Sequence, residues 1–318
     1  MSLQGRRQAD GAGQKYLNAD CLRYLESLCL SARVMVEGAY TGRHRSPFKG
    51  HSQEFTDYRE YYPGDSIRTI DWKVYARTDR YVIKLSEKET VMTCYLMVDS
   101  SASMAFGGRW HEQFFGKDDV SKFDYACYLA AALCYLTIKQ GDKVGLTLFD
   151  SKIKYHSPAG GTYSHLYKMV SRLEANKVGR GTSVSRALRE TFPLFKRKGV
   201  IILISDLLDD PEEIFGSLDM YRHRNFEIIL FHLLHKHELE LPSVPSANFI
   251  DSESGERLTS IPADIRDSYH MHLNEYIDTV ASTAQARKID YQLLSTETPY
   301  QMALRDYIAR RGRRWNCY

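Results

Sequence analysis

Several familiar signatures are missing from this 318-residue chain. No two cysteines are spaced Cys-x-x-Cys, which removes the usual redox and zinc-ribbon motifs. There is no Gly-x-x-x-x-Gly-Lys-Ser/Thr loop and no Gly-x-Gly-x-x-Gly, so the chain is not itself a P-loop nucleotidase and shows no dinucleotide fingerprint. Neither Ser101 nor Ser183 sits in a Gly-x-Ser-x-Gly frame, which argues against a hydrolase nucleophile elbow. No apolar run approaches the roughly 18 residues of a membrane span, and no signal-peptide core is present. Internal repeats and coiled-coil heptads are also lacking. A net charge of +3 is too small to imply nucleic-acid binding.

What is present is ordinary for a soluble globular protein: 43% hydrophobic and 26% charged residues, in a chain long enough for one large domain or two modest ones. Charge is uneven, with +4 in residues 1–50 and −1 in the remainder. Of the six cysteines, Cys94, Cys127 and Cys134 lie in apolar runs, where a reduced core thiol is expected. A reducing compartment, and hence a cytoplasmic protein, follows.

Residues 1–13 are polar and Gly-rich and are expected to be disordered. Leu17, Leu22, Leu25, Leu28, Leu30, Val34 and Val36 recur at near-helical spacing, predicting a helix over 14–36 that ends at Gly38. Residues 43–92, rich in charge and aromatics and broken by Pro63-Gly64-Asp65, suit short strands and loops. The organisation expected is an N-terminal helix plus a β-rich segment over 14–93, then an α/β domain over 94–318.

From residue 94 the pattern alternates. Cys94–Val98, Val144–Phe149, Val200–Ile204, Phe226–Leu233 and Ile289–Leu294 are apolar runs of strand length. Helices are expected at 123–139, 162–173, 183–195, 211–221, 269–288 and 299–311. Lys152–His156 reads as an antiparallel edge strand. This is the pattern of a mostly parallel sheet covered by helices on both faces.

Ligands in such sheets bind beyond the carboxyl ends of the strands. Three loops there carry oxygen donors: Asp99-Ser100-Ser101-Ala102-Ser103, Gly179-Arg180-Gly181-Thr182, and Ser205-Asp206. Carboxylates and hydroxyls are hard donors that suit Mg²⁺, Mn²⁺ or Ca²⁺ rather than zinc. Competing readings are that Asp99 or Thr182 caps a helix, and that Asp206 belongs to a solvated acidic cluster with Asp209 and Asp210.

Asp99-x-Ser101-x-Ser103 with Thr182 and Asp206 resembles the metal-ion-dependent adhesion site of von Willebrand factor A domains. The resemblance implies a von Willebrand factor A-like fold, direct ligation by Ser101, Ser103 and Thr182, and water-mediated contact from Asp99 and Asp206. Mg²⁺ is the ion expected, with Mn²⁺ or Ca²⁺ as alternatives, and an acidic residue of a client protein would complete its shell. A second resemblance lies upstream. Gly50-His51-Ser52-Gln53-Glu54-Phe55, then Arg59-Glu60-Tyr61-Tyr62-Pro63-Gly64-Asp65-Ser66-Ile67-Arg68-Thr69-Ile70-Asp71-Trp72-Lys73, then Ala76-Arg77 is similar to the signature of the bacterial domain of unknown function 58 family. That family joins this segment to a von Willebrand A-like domain, and its members are associated with MoxR-type AAA+ ATPases. The resemblance therefore implies a non-enzymatic, metal-dependent protein–protein interaction module that works with such an ATPase in assembling or activating other proteins. The alternative is a metal-dependent, phosphatase-like hydrolase using Asp99. Ser101 stands where such an enzyme usually needs a second carboxylate.

The remaining polar clusters have blander expectations. Arg59, Asp65, Arg68, Asp71, Trp72 and Arg77 suit an ion-pair and hydrogen-bond network within the added segment. His232, His235 and His237 are expected on a surface loop, and the arginines from 310 to 314 in a solvated tail.

Overall fold

The computed structural model describes residues 15–17, 21–26, 54–62, 65, 67, 70–87, 91–107, 120–179, 181–252 and 255–315. The expected disordered tail, and the expected helix beyond residue 26, lie outside them. The chain divides into two compact units, a large one that takes in residues 1–42 and 92–318 and a small one of residues 43–91. The described residues 15–17 and 21–26 thus belong with the α/β unit, not with the β-rich segment with which the sequence grouped them.

In the small unit, β1 (Glu54–Glu60) pairs antiparallel with β2 (Val82–Glu87). Between them lies a helix, α1 (Trp72–Thr78), where the sequence suggested only strands and loops. Asp71 starts it: its carboxylate accepts from the backbone N–H groups of Lys73 and Val74 at 2.9 and 3.4 Å. Of the expected network, Arg59 and Asp65 form an ion pair at 3.0 Å. Asp71 serves as a cap, Arg77 Nε donates to the Lys73 carbonyl, and Trp72 is exposed.

The large unit is built on a six-stranded sheet. Its strands are β3 (Thr93–Asp99), β4 (Lys143–Phe149), β5 (Ile153–Gly160), β6 (Val200–Ser205), β7 (Glu227–Leu234) and β10 (Asp290–Ser295), in the order β10-β7-β6-β3-β4-β5. All pairs are parallel except β4–β5, the antiparallel edge expected at Lys152–His156. Side chains of β3 alternate between two cores. Cys94, Leu96 and Val98 pack with α2 (Lys122–Lys139), whereas Tyr95 and Met97 pack with α4 (Val184–Thr191) and α5 (Pro211–His223). Helix α2 is buried nearly all round, as its Ala- and Leu-rich sequence requires.

Helix α3 (Tyr163–Ala175) flanks α2, and α8 (Tyr300–Trp315) closes the same side. Beyond β7 come a short helix, α6 (Lys236–Leu239), and a hairpin, β8 (Ala247–Ile250) with β9 (Arg257–Ser260). Helix α7 (Pro262–Ala286) follows and starts seven residues before the expected 269. Strand order reverses at β3, whose chain leaves toward β4 while β6 returns on its other side. The carboxyl end of β3 is therefore the topological switch point, where a crevice opens in doubly wound sheets.

Candidate metal site at the switch point

The strand ends bring four of the five predicted donors into one buried cluster. Val98 pairs with Ile204, so Asp99 and Ser205 stand side by side at the ends of β3 and β6. Ser205 Oγ donates to Asp99 Oδ2 at 2.6 Å. The other carboxylate oxygen accepts from the Ser101 backbone N–H at 2.9 Å, which folds the turn so that Ser101 Oγ and Ser103 Oγ lie 3.0 Å apart. Asp99, Ser101 and Asp206 are fully buried, and Ser103 nearly so. The fifth donor, Thr182, is half-buried on a loop tied to the same turn, because the Gly179 N–H donates to the Ser100 carbonyl at 2.7 Å.

The capping alternative for Thr182 fails by position. The N-cap of α4 is Ser183, not Thr182, and the Asp209 carboxylate takes the Ser185 N–H of its first turn at 3.2 Å. Asp210 caps α5 by accepting from Glu212 N–H at 3.0 Å. Those two acids are helix-start residues, whereas Asp206 turns inward. Leu207, immediately after it, has φ +56°, the left-handed region that a branched side chain avoids. Its N–H donates to Ser205 Oγ at 2.9 Å, and its carbonyl accepts from the Tyr276 hydroxyl of α7.

Electrostatics mark the cluster. Burial, and then the nearby Asp206 carboxylate, push the Asp99 pKa up to about 7, against the pull of the Ser205 and Ser101 hydrogen bonds. Lys122, the first residue of α2, is fully buried beside them. Its ammonium donates to Asp206 Oδ2 at 2.8 Å and to Glu238 Oε1 at 2.6 Å. Burial disfavours that charge, but the two carboxylates outweigh it and the Lys122 pKa is raised. Asp206 and Glu238 thus share one ammonium with the Asp99 carboxyl close by, and a divalent cation would add positive charge where acidic groups outnumber cations. Two adjacent buried hydroxyls with Asp99 and Asp206 form a hard-oxygen set that fits such an ion.

Sequence reasoning did not find Lys122 or Glu238, and it named Ser205 only as part of the Ser205-Asp206 loop. One signal was available for the lysine: a cation at the first turn of a helix opposes the positive end of the helix dipole and needs a partner. The histidines require a correction, because His232 and His235 are buried and not on a surface loop. His235 Nδ1 accepts from the His237 N–H at 3.2 Å as the cap of α6, and Glu238 closes the box by accepting from the His235 N–H at 2.7 Å. Gly107, at φ +88°, lies so close that a Cβ there would fall 2.6 Å from His235 Nε2. Among the described residues, no group of three or more His, Cys, Asp or Glu is placed to hold a metal ion, so the candidate set depends on its hydroxyls. The arginine tail is corrected too. Arg311 is buried and paired with Glu227 and Asp290.

Comparison with known proteins places this geometry in context. Uncharacterised proteins of Mycobacterium bovis and Mycobacterium tuberculosis are 26% identical over 293 residues, covering 91% of this chain and 89% of theirs. Among solved structures, the chain is similar to the conserved hypothetical protein BatB from Bacteroides thetaiotaomicron, at 15% identity and TM-score 0.42 over 70% of this chain and 99% of that one. It is also similar to the SpRpn10 VWA domain, at 10% identity and TM-score 0.33 over 45% and 76% of the two chains. The profile of the family described as "Protein of unknown function DUF58" matches residues 57–276. That match takes in the Arg59–Arg77 part of the small unit's signature and the switch-point loops, and the chain belongs to the DUF58 family.

Proposed function

We propose that the chain is a non-enzymatic interaction module whose switch-point cluster binds a divalent metal, Mg²⁺ foremost, and through it an acidic residue of a partner protein. The observation that carries this reading is the convergence of Asp99, Ser101, Ser103 and Asp206 at the end of β3 and β6, with the Ser101 and Ser103 hydroxyls 3.0 Å apart. Direct ligation by neutral hydroxyls would leave the ion electrophilic enough to accept one more carboxylate from outside. Ser101, Ser103 and Thr182 would hold the ion, while Asp99 and Asp206 supply charge and orient bound water. Asp99 is poorly suited to nucleophilic chemistry, because both its oxygens already accept hydrogen bonds. The proposed partners are a MoxR-type AAA+ ATPase and a client protein on which the pair acts. Among the described residues no helix is long and apolar enough to cross a membrane.

The test is capture of partners with the full chain as bait, in Mg²⁺ or in EDTA. Retention of an AAA+ ATPase in Mg²⁺, with loss in EDTA and in Asp99→Ala, is expected. Mg²⁺ added after EDTA should also raise the melting temperature of the natural protein, since ligand binding stabilises the native state, and not that of Asp99→Ala. Capture that ignores EDTA, together with no thermal response to metal, would refute the reading.

A further inference from the structure

Lys122 is an odd residue to bury. A lysine ammonium withdrawn from water needs close counter-charges, and the first turn of a helix gives it the wrong end of the dipole. Here it has no exposed surface, and its two anionic partners come from different elements: Asp206 from the loop after β6 and Glu238 from α6. The two partners differ in kind. Asp206 belongs to the candidate metal set. Glu238 does not, and it is anchored independently, its Oε2 accepting from the His235 N–H. One ammonium thus sits between the metal cluster and a carboxylate outside it. Any positive charge arriving beside Asp206 competes with Lys122 for the same oxygens and repels it, and Glu238 is the ready alternative partner.

We infer that Lys122 is a tethered counter-ion that competes with the divalent metal for Asp206, and that Glu238 sets the outcome by holding the ammonium when metal is bound. The inference rests on the proposed metal-binding reading and adds to it the residue pair that fixes the affinity. It also links the site to α6, because the carboxylate that would receive the ammonium is the one that closes the α6 cap.

The competition gives opposite signs for two conservative changes. Lys122→Met removes the competitor, so Mg²⁺ and Mn²⁺ should bind more tightly, by at least about tenfold given one charge opposing two across a few ångströms. Glu238→Gln keeps an acceptor for the His235 N–H but leaves Lys122 wholly to Asp206, so binding should weaken several-fold. An ion pair that is merely structural predicts the same sign for both, namely lower stability and unchanged or weaker metal binding. Lys122→Met leaves two carboxylates without a counter-charge and is expected to melt lower without metal. Should it fail to fold, the double variant Lys122→Met/Glu238→Gln removes the pair together and should bind metal more tightly than Glu238→Gln alone.

The experiment is calorimetric titration of the full chain and each variant with MgCl₂ and MnCl₂, with melting temperatures alongside. Tighter binding on loss of Lys122 and weaker binding in Glu238→Gln support the inference. Natural-level affinity in both variants overturns it and leaves the metal reading standing. Metal binding by the Lys122 variant but not by the natural chain overturns the metal reading and the inference with it, because the natural ammonium would then never yield Asp206 to a metal. Absence of metal binding in the natural chain and in every variant overturns both.

Discussion

A single buried side chain shows how the environment, and not residue type, sets chemistry at the end of the sheet. His232 sits two residues before the end of β7, opposite Ser205 in register, with Nδ1 2.9 Å from the Tyr291 hydroxyl. Burial, only partly countered by Asp206, drives its pKa down to about 4. The sign of the pH effect follows. An unfolded chain takes up a proton at this residue near pH 6.5, while the native state stays neutral until about pH 4, so the contribution to stability is complete above about pH 6.5 and is lost as pH falls toward 4. Between pH 7 and 4.5 the loss should be about 2 kcal/mol. His232→Gln cannot titrate, so its urea-unfolding free energy should fall less than that of the natural protein over the same interval. Parallel pH profiles for the two proteins would contradict the assignment. At this scale the sequence was legible where spacing alone fixes geometry, as in Asp99-x-Ser101-x-Ser103. It was illegible where the partner is remote: Lys122 meets Asp206 across 84 residues and Glu238 across 116. The burial of His232 and His235 was hidden for the same reason, since neither neighbour-to-neighbour polarity nor motif spacing records what folds over a strand end.

Among elements, the strands and helices that face the core were the legible ones. β3, β4, β6 and β7 are continuous apolar runs because helices cover both faces, and their observed limits lie within a residue or two of those expected. The first turns of α7 and the β8–β9 hairpin were missed because few of their side chains are buried, which leaves no periodic apolar signal to read. α1 was missed for the same reason, having no buried residue. The loop before α4 carries a prediction of its own. A Cβ on Gly179 would fall 2.1 Å from Asp150 Oδ2, a carboxylate whose other oxygen is engaged by the Lys152 N–H at 3.1 Å. Gly179→Ala should therefore push the Thr182 loop away from the Asp99 turn. An overpacking cost of about 1–3 kcal/mol in stability is expected, with weaker Mg²⁺ binding, and Asp150→Ala in the same chain should recover part of both. Gly199→Ala is the contrast. Its Cβ would meet the Thr93 backbone carbonyl at 1.9 Å, at the opposite end of the sheet from the site, so melting temperature should fall while metal affinity per folded molecule stays unchanged. A Gly179→Ala protein with natural stability and metal affinity would show that the loop is not held as described.

For the whole molecule, the decisive feature is that the α/β unit is assembled from both sides of the 43–91 segment. Tyr16, Leu17, Cys21 and Leu25 are buried in the same core as α2. The Tyr16 hydroxyl donates to Asp124 Oδ1 at 2.5 Å, the rings of Tyr16 and Tyr128 meet edge to face at 5.0 Å, and the Tyr300 hydroxyl donates to Cys21 Sγ at 2.9 Å. Residues far apart in sequence thus close over α2, while the small unit has its own hairpin and helix. Removing residues 1–26 would delete four buried side chains, Tyr16, Leu17, Cys21 and Leu25, from the core that holds α2. At about 1.5–3 kcal/mol for each, that loss rivals the total stability of a typical domain, about 5–15 kcal/mol. Replacing residues 43–91 with a flexible Gly/Ser linker of similar length deletes none of those contacts. The linker protein should melt cooperatively within a few degrees of the natural chain and keep its thermal response to Mg²⁺. The truncated protein should melt far lower or not fold. If the linker protein instead loses cooperative melting while the truncated one keeps it, the division into units is wrong. If the linker protein folds and binds metal but no longer retains its partners, the small unit contributes a separate contact to them, and the metal cluster alone does not account for the interaction.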